Sequence, residues 1–253
     1  ASGALWGLAR ITSTDWSIGN LRTEFEYSEM NNGQGVDVYI IDTGIYEGHD
    51  DFGGRVTWGY VTKGLRNEGR VDLNGHGTMV ASLAAGRVYG VAKKANIIAV
   101  KCMDRSGTGS VGDMIEAVEW VHKQINTKKE RKHVVNMSFG MGGPNLILEE
   151  AIQAAINDGV TFVIAAGNSA EDTCETAPAK VSAAITVAAS NSNDELAYFT
   201  NAGPCINIVA PGENVIGADI HSPNSTQVHS GTSFAAPYVA GVIGVYLSSL
   251  PDT

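Results

Sequence analysis

Residues 36–41 read Val-Asp-Val-Tyr-Ile-Ile, a short, mostly apolar run rich in β-branched side chains that stops at Asp42-Thr43-Gly44. That is the pattern of a buried strand running into a turn, and it places Asp42 at a strand's carboxyl end. Residues 77–85 are small and apolar and are closed by Gly86, which predicts a tightly packed helix with His76 at its start. A second strand is expected over 96–103. From Ser110 onward Val111, Met114, Ile115, Val118, Val121, His122 and Ile125 keep helical spacing, and Ser110 with Asp113 fits a capping box. The spacing then predicts a strand over 134–138, a helix over 148–157 with Leu148, Ile152, Ala155 and Ile156 on one face, and a strand over 160–166 between Gly159 and Gly167. Strands over 184–189 and 206–209 and an apolar helix over about 232–250 complete the series. Strands alternating with crossover helices imply a mostly parallel sheet covered on both faces, with ligands beyond the carboxyl ends of its strands. Asp42, Ser138 and Gly167 all fall at such ends.

The 253 residues, 43% of them apolar, suffice for one large core, and no repeat or linker divides them, so a single domain over 1–253 is expected. The 30 glycines suit an open α/β enzyme with many tight turns. A net charge of -10 disfavours nucleic acid and anionic membranes as partners. The one basic cluster, Lys128, Lys129, Arg131 and Lys132, follows a predicted helix, whose C-terminal dipole it complements. No apolar run is long enough to span a bilayer, and the first residues lack the regions of a signal peptide; an exported protein would be in its mature form. Three cysteines allow at most one internal disulfide.

Three polar blocks carry candidate chemistry: Asp42-Thr43-Gly44, Asn74-Gly75-His76-Gly77-Thr78, and Gly231-Thr232-Ser233-Phe234-Ala235-Ala236-Pro237. Taken singly, Ser233 reads as a helix cap and His76 as an ordinary histidine. Aspartic proteases use Asp-Thr-Gly too, but they need a second carboxylate, and neither Asp-Thr-Gly nor Asp-Ser-Gly recurs here. Together the blocks supply what acyl transfer requires: a hydroxyl, an imidazole to take its proton and a carboxylate to orient the imidazole. Their chain order, Asp then His then Ser, is that of subtilisin rather than of chymotrypsin or the α/β-hydrolases.

In these blocks the chain resembles the subtilisin-like serine proteases, the subtilases. Trp6-Gly7-Leu8-Ala9-Arg10-Ile11 and Tyr89-Gly90-Val91-Ala92-Lys93 resemble the proteinase K branch in particular. The resemblance implies a three-layer α/β sandwich and a serine endopeptidase needing no cofactor for its chemistry. Asp42, His76 and Ser233 would form the triad, and Asn168, in Ala165-Ala166-Gly167-Asn168, would donate to the oxyanion. Gly107, Thr108 and Gly109 would act as an edge strand pairing with substrate, Ser138, Phe139 and Gly140 as the opposite wall, and Ala166 and Gly167 as the close of the specificity pocket. It further implies broad cleavage favouring apolar or aromatic residues before the scissile bond, protein or peptide substrates, a propeptide or proteinaceous inhibitor as partner, a monomer, and an extracellular or vacuolar location. Cys174 and Cys205 fall where some bacterial relatives carry a bridged pair, leaving Cys102 as a buried thiol within a strand.

Several positions depart from the family's pattern. Met79 and Tyr238 replace histidines, and Phe234 replaces the methionine after the nucleophile. Asn207 stands where relatives carry an aspartate that binds calcium, which weakens the case for a structural calcium; no metal site is assigned. Only 20 residues follow Ser233, fewer than the family normally has. Asn224-Ser225-Thr226 has the form of a glycosylation acceptor. Two alternatives stand beside the peptidase. Gly107-Thr108-Gly109-Ser110-Val111-Gly112 fits the dinucleotide-binding spacing, although the strand over 134–138 ends in Met137 and Ser138 rather than in an acidic ribose ligand. A catalytically inactive subtilase-fold binding protein would need a lesion among Asp42, His76, Asn168 and Ser233, and there is none.

Overall fold

The computed structural model describes residues 6–13, 32–128 and 131–251, so Lys129 of the basic cluster lies outside the described residues. Their elements are, in order, α1 (Trp6–Ile11), β1 (Val36–Asp42), β2 (Val56–Val61), α2 (His76–Ala85), β3 (Asn96–Lys101), α3 (Val111–Thr127), β4 (Lys132–Met137), β5 (Met141–Gly142), α4 (Leu146–Asn157), β6 (Phe162–Ala165), β7 (Thr176–Ala177), β8 (Ile185–Ser190), β9 (Ile208–Pro211), β10 (Val215–Ala218), β11 (Thr226–His229) and α5 (Thr232–Ser249). Seven strands form one sheet in the order β2-β3-β1-β4-β6-β8-β9, every neighbouring pair parallel. Two small antiparallel pairs, β10 with β11 and β5 with β7, flank it.

Because side chains alternate along a strand, each central strand feeds two cores. Val38 and Ile40 of β1, Ala99 of β3 and Val163 of β6 pack with α2 and α5, whereas Tyr39, Ile41, Val100 and Ile164 pack with α3 and α4 on the opposite face. Continuous burial of β1 thus has the physical cause expected of a strand covered on both faces, and the three-layer sandwich is the observed architecture. Within it α5 is buried almost all round for its first ten residues, from Thr232 through Gly241 except Ser233, and packs against α2 and β4, β6 and β8.

Glycine governs how closely α2 seats. A Cβ at Gly77 would lie 2.2 Å from the Gly44 carbonyl oxygen, so the His76 helix approaches the Asp42 turn as only glycine allows. Gly86 ends α2 with φ -64°, not with the left-handed cap that a glycine after a helix suggests. Its reason is contact: a Cβ there would meet the Asp51 carboxylate at 1.8 Å. The Ser110 hydroxyl caps α3 by accepting from Asp113 N–H at 3.0 Å, and in turn donates to the Asp113 carboxylate at 2.5 Å, so the acid returns to the hydroxyl rather than to the Ser110 backbone.

Candidate active site

The carboxyl ends of β1, β4 and β6 and the starts of α2 and α5 converge on one site. Asp42 ends β1 with its carboxylate fully buried. Its Oδ1 accepts from His76 Nδ1 at 2.8 Å and from Thr43 N–H at 2.7 Å, while Oδ2 is buried with no hydrogen-bond partner. A buried carboxylate on Nδ1 fixes the imidazole tautomer so that Nε2 is the basic nitrogen. Burial pushes the His76 pKa down, but the Asp42 charge and hydrogen bond and the more distant Asp72 charge push it up, and the net position is above the ordinary imidazole value. The ring keeps 25% of its surface exposed.

Ser233 sits in the first turn of α5, and its neighbour Phe234 tilts against the His76 ring with centroids 5.3 Å apart. The Ser233 hydroxyl donates to the Ser138 carbonyl at 2.8 Å, and the Ser138 hydroxyl donates back to the Ser233 carbonyl at 2.7 Å. Asn136 Nδ2 in turn donates to the Ser138 hydroxyl at 2.9 Å. No hydrogen bond joins Ser233 to His76 among the described residues. The Ser233 hydroxyl is held instead by the residue that follows β4.

Asn168 follows β6 on an exposed loop. Its Oδ1 accepts from Thr232 N–H at 2.8 Å and from the Thr232 hydroxyl at 2.9 Å, which turns the carboxamide so that Nδ2 is the uncommitted end, beside the start of α5. Thr232 Oγ1 also accepts from Gly167 N–H at 3.1 Å. The loop itself hangs on Asn201, whose Oδ1 accepts from Ser169 and Glu171 N–H and whose Nδ2 donates to the Ala166 carbonyl. Gly167 adopts φ 106°, and a Cβ there would lie 2.4 Å from Asn201 Nδ2. The Asn168 carboxamide thus lies beside the start of α5 with its N–H end uncommitted.

The two segments expected to flank a substrate differ in structure. Residues 107–109 follow a turn at 105–106 without strand pairing, Gly107 and Thr108 exposed and Gly109 half-buried: Asp104 N–H donates to the Thr108 carbonyl, its carboxylate accepts from Thr108 N–H, and Gly107 N–H donates to the Asp104 carbonyl. Gly109 and the Gly107 carbonyl make no such bond among the described residues. Opposite, Ser138 and Phe139 are buried and Gly140 is exposed; the Phe139 ring belongs to the α3 and α4 core and offers only its backbone.

Sequence reasoning passed over Asp72, Thr232, Asn136 and Lys101. Lys101 is fully buried at the end of β3 beside Asp42, donates to the Thr43 and Met103 carbonyls at 2.6 and 2.9 Å and pairs with Glu68 at 3.1 Å. It ties down the turn after Asp42 without touching the carboxylate. Asp72, Asn136 and Lys101 lie in stretches that read as ordinary loop or strand, and Thr232 reads only as part of the serine block; the fold alone shows what each one holds.

Cys174 and Cys205 are joined by a disulfide, and Cys102 is free and buried, its thiol pushed far up by desolvation. Asn207 Oδ1 accepts from Thr186 N–H at 2.8 Å, so this carboxamide is occupied in holding β8 and gives calcium no support. Nor does the glycine loop fit a dinucleotide. Asp113 occupies the first turn of α3, putting negative charge where a pyrophosphate would need positive dipole.

A model of the subtilase family matches residues 33–253. The chain is 45% identical over 250 residues to the subtilase-type proteinase psp3 of Schizosaccharomyces pombe, covering 98% of this chain and 54% of that protein. It is 43% identical over 261 residues to the subtilisin-like serine protease pepC of Aspergillus niger, covering 99% of this chain and 48% of that one. The chain thus spans about half the length of these curated relatives. Among solved structures, that of a cold adapted subtilisin-like serine proteinase superposes with a TM-score of 0.87 at 38% identity, covering 99% of this chain and 87% of the other.

Proposed function

The chain belongs to the subtilase family, and on that premise we propose that it is a serine endopeptidase acting through an acyl-enzyme on Ser233. The observation that carries this reading is the 2.8 Å bond from His76 Nδ1 to the buried Asp42 carboxylate, which leaves Nε2 as the base beside the first turn of α5. Nε2 takes the Ser233 proton as the oxygen attacks the scissile carbonyl, Asp42 stabilises the resulting imidazolium, and the imidazolium protonates the leaving amine. Water then enters by the same route and releases the acid. A peptide N–H pairing with the Ser138 carbonyl takes the acceptor on which Ser233 rests, freeing the hydroxyl to turn to His76. Asn168 Nδ2 and Ser233 N–H receive the oxyanion, and because they are already oriented, little reorganisation is spent at the transition state.

The remaining assignments are part of the same proposal. One peptidase domain spans 1–253, with its nearest likeness in the proteinase K branch; it acts as a secreted or vacuolar monomer on proteins and peptides, held in check by a propeptide or proteinaceous inhibitor. Gly107, Thr108 and Gly109 and Ser138, Phe139 and Gly140 flank the substrate backbone, and Ala166 and Gly167 close the pocket. That pocket is bounded by backbone and small residues, so cleavage is broad and favours apolar or aromatic side chains before the scissile bond. Digestion of a diverse peptide mixture, with fragments sequenced by mass spectrometry, tests the specificity. Cuts concentrated after Leu, Phe, Tyr or Ala support it, and cuts concentrated after Lys, Arg, Asp or Glu contradict it.

A further inference from the structure

The mechanism uses one carboxylate, yet a second lies buried at the same junction. Asp72 is 4% exposed and forms no salt bridge among the described residues. A lone buried carboxylate is costly unless hydrogen bonds replace its water. Five do. Its Oδ1 accepts from the Thr43 hydroxyl at 3.0 Å, Asn74 N–H at 3.0 Å and Gly75 N–H at 2.9 Å; its Oδ2 accepts from Thr78 N–H at 3.0 Å and the Thr78 hydroxyl at 2.6 Å.

These donors come from two places. Thr43 is the residue after Asp42, whereas Asn74, Gly75 and Thr78 surround His76 at the start of α2. Thr43 Oγ1 also accepts from Gly77 N–H at 3.0 Å, and Thr78 Oγ1 accepts from Tyr46 N–H at 2.9 Å, so the network closes from both sides. The carboxylate accepts from Thr78 N–H in the first turn of α2 and from the N–H of the N-cap Gly75, which has no side chain with which to cap the helix itself. An anion at that end of the helix is favoured in its own right.

We propose that Asp72 is a positioning residue for the hydrolysis read above, bracing the turn that carries Asp42 against the helix start that carries His76. The proposal rests on that catalytic reading. Without the brace, the Asp42 turn and α2 keep the His76 bond to Asp42, the Gly77 N–H bond to Thr43 Oγ1 and the Tyr46 N–H bond to Thr78 Oγ1, but the five bonds that gather both segments on one carboxylate are lost, and their alignment loosens. The same negative charge favours the imidazolium that forms when Ser233 gives up its proton, which agrees with its contribution to the raised His76 pKa. The other ionisable groups facing His76 are few. Asp42 comes from β1, Lys101 of β3 is turned to the Thr43 carbonyl and Glu68, Asp219 between β10 and β11 packs beside Gly75 with its carboxylate bonded to His221, and His229 of β11 stacks on the far side of Phe234 with centroids 5.6 Å apart; the start of α5 presents only Ser233 and Phe234.

The test compares the wild-type chain with Asp72→Asn and Thr43→Val, each checked for folding by near-ultraviolet circular dichroism and assayed for peptide hydrolysis across pH. Asp72→Asn keeps the shape but loses the charge and an acceptor. Its kcat is expected to fall about 10²-fold with KM little changed, as for a displaced catalytic pair, and the acid limb of its kcat/KM profile should move to lower pH. Thr43→Val removes both bonds of that hydroxyl, to Asp72 and from Gly77 N–H, and keeps the charge, so kcat should fall while the acid limb stays in place. Folded variants of both kinds with wild-type kcat and wild-type pH profile overturn the proposal. If Asp72→Asn does not fold, Thr43→Val decides: a folded protein with reduced kcat and unchanged KM supports the brace, and one with unchanged kcat overturns it. Labelling of wild-type Ser233 by a phosphonylating reagent separates the two levels. A labelled wild type with unaffected variants sinks the role of Asp72 alone, while an unlabelled wild type sinks the catalytic reading and this proposal with it.

Discussion

Replacing both Cys174 and Cys205 by serine opens a covalent loop with a sequence separation of 31 residues. Between the two cysteines lie β8 and Asn201, the side chain that suspends the 166–171 loop and with it Asn168. In the chain-entropy account a crosslink over this span removes about 12 cal/mol/K from the unfolded ensemble, or about 3.7 kcal/mol at 25 °C. For a chain of this length that corresponds to a fall in Tm of roughly 7–15 °C. The double substitution leaves no unpaired partner thiol, and Cys102 is buried with its pKa well raised, so mispairing does not confuse the result. Thermal unfolding followed by circular dichroism, repeated on the wild type in reducing agent, gives the comparison. The reduced wild type and the variant should melt together, both below the oxidised protein. A variant that melts within about a degree of the oxidised wild type refutes the idea that this bridge constrains the unfolded chain, because the entropic term would then be missing.

Other outcomes follow from the site. Asn168→Ala should lower kcat by about 10²–10³-fold with a small effect on KM, a range that belongs to subtilisin itself rather than to this geometry; steady-state peptide kinetics check it. In the proposed mechanism the base form of His76 is the active one; burial pushes its pKa down, but Asp42 and Asp72 together outweigh that and raise it. Activity should therefore climb with pH through a midpoint above about 6.5, and a kcat/KM profile whose acid limb lies below that value contradicts the assignment.

The sequence disclosed the central sheet because its strands are buried on both faces and therefore read as apolar runs: β1, β3, β4, β6 and β8 each overlap an expected segment, β3 and β6 lying wholly inside theirs. Boundaries shifted where backbone pairing, not side-chain character, decides the end. The strand expected over 96–103 stops at Lys101, and that expected over 206–209 is displaced to Ile208–Pro211. β2 escaped notice because it is a half-exposed edge strand interrupted at Gly59, where the pairing register shifts between Trp58 and Tyr60. Gly59 is there for Trp120, whose ring would lie 2.6 Å from a Cβ and which stacks on Tyr60. The β10 and β11 hairpin was likewise hidden, since β11 alternates polar residues on an exposed surface.

At the site, Asp42, His76, Asn168 and Ser233 were legible because each sits in a short block of small residues. What was not legible is their support. Asp72 stands in the polar stretch Val71-Asp72-Leu73-Asn74 and reads as loop, and its role depends on Thr43, 29 residues away in the chain. Thr232 looked like part of the serine block, but its work is to orient Asn168 from 64 residues away. Nor does any sequence pattern reveal that the Ser233 hydroxyl rests on the Ser138 carbonyl, a contact spanning 95 residues.

Intact-mass analysis after treatment with a phosphonylating reagent, with the adduct then mapped by peptide sequencing, tests most directly whether this alcohol is an activated nucleophile. The account predicts one adduct per chain, located on Ser233, and none on Ser233→Ala. A chain that stays unmodified while folded, or one that carries its adduct on a different residue, contradicts it.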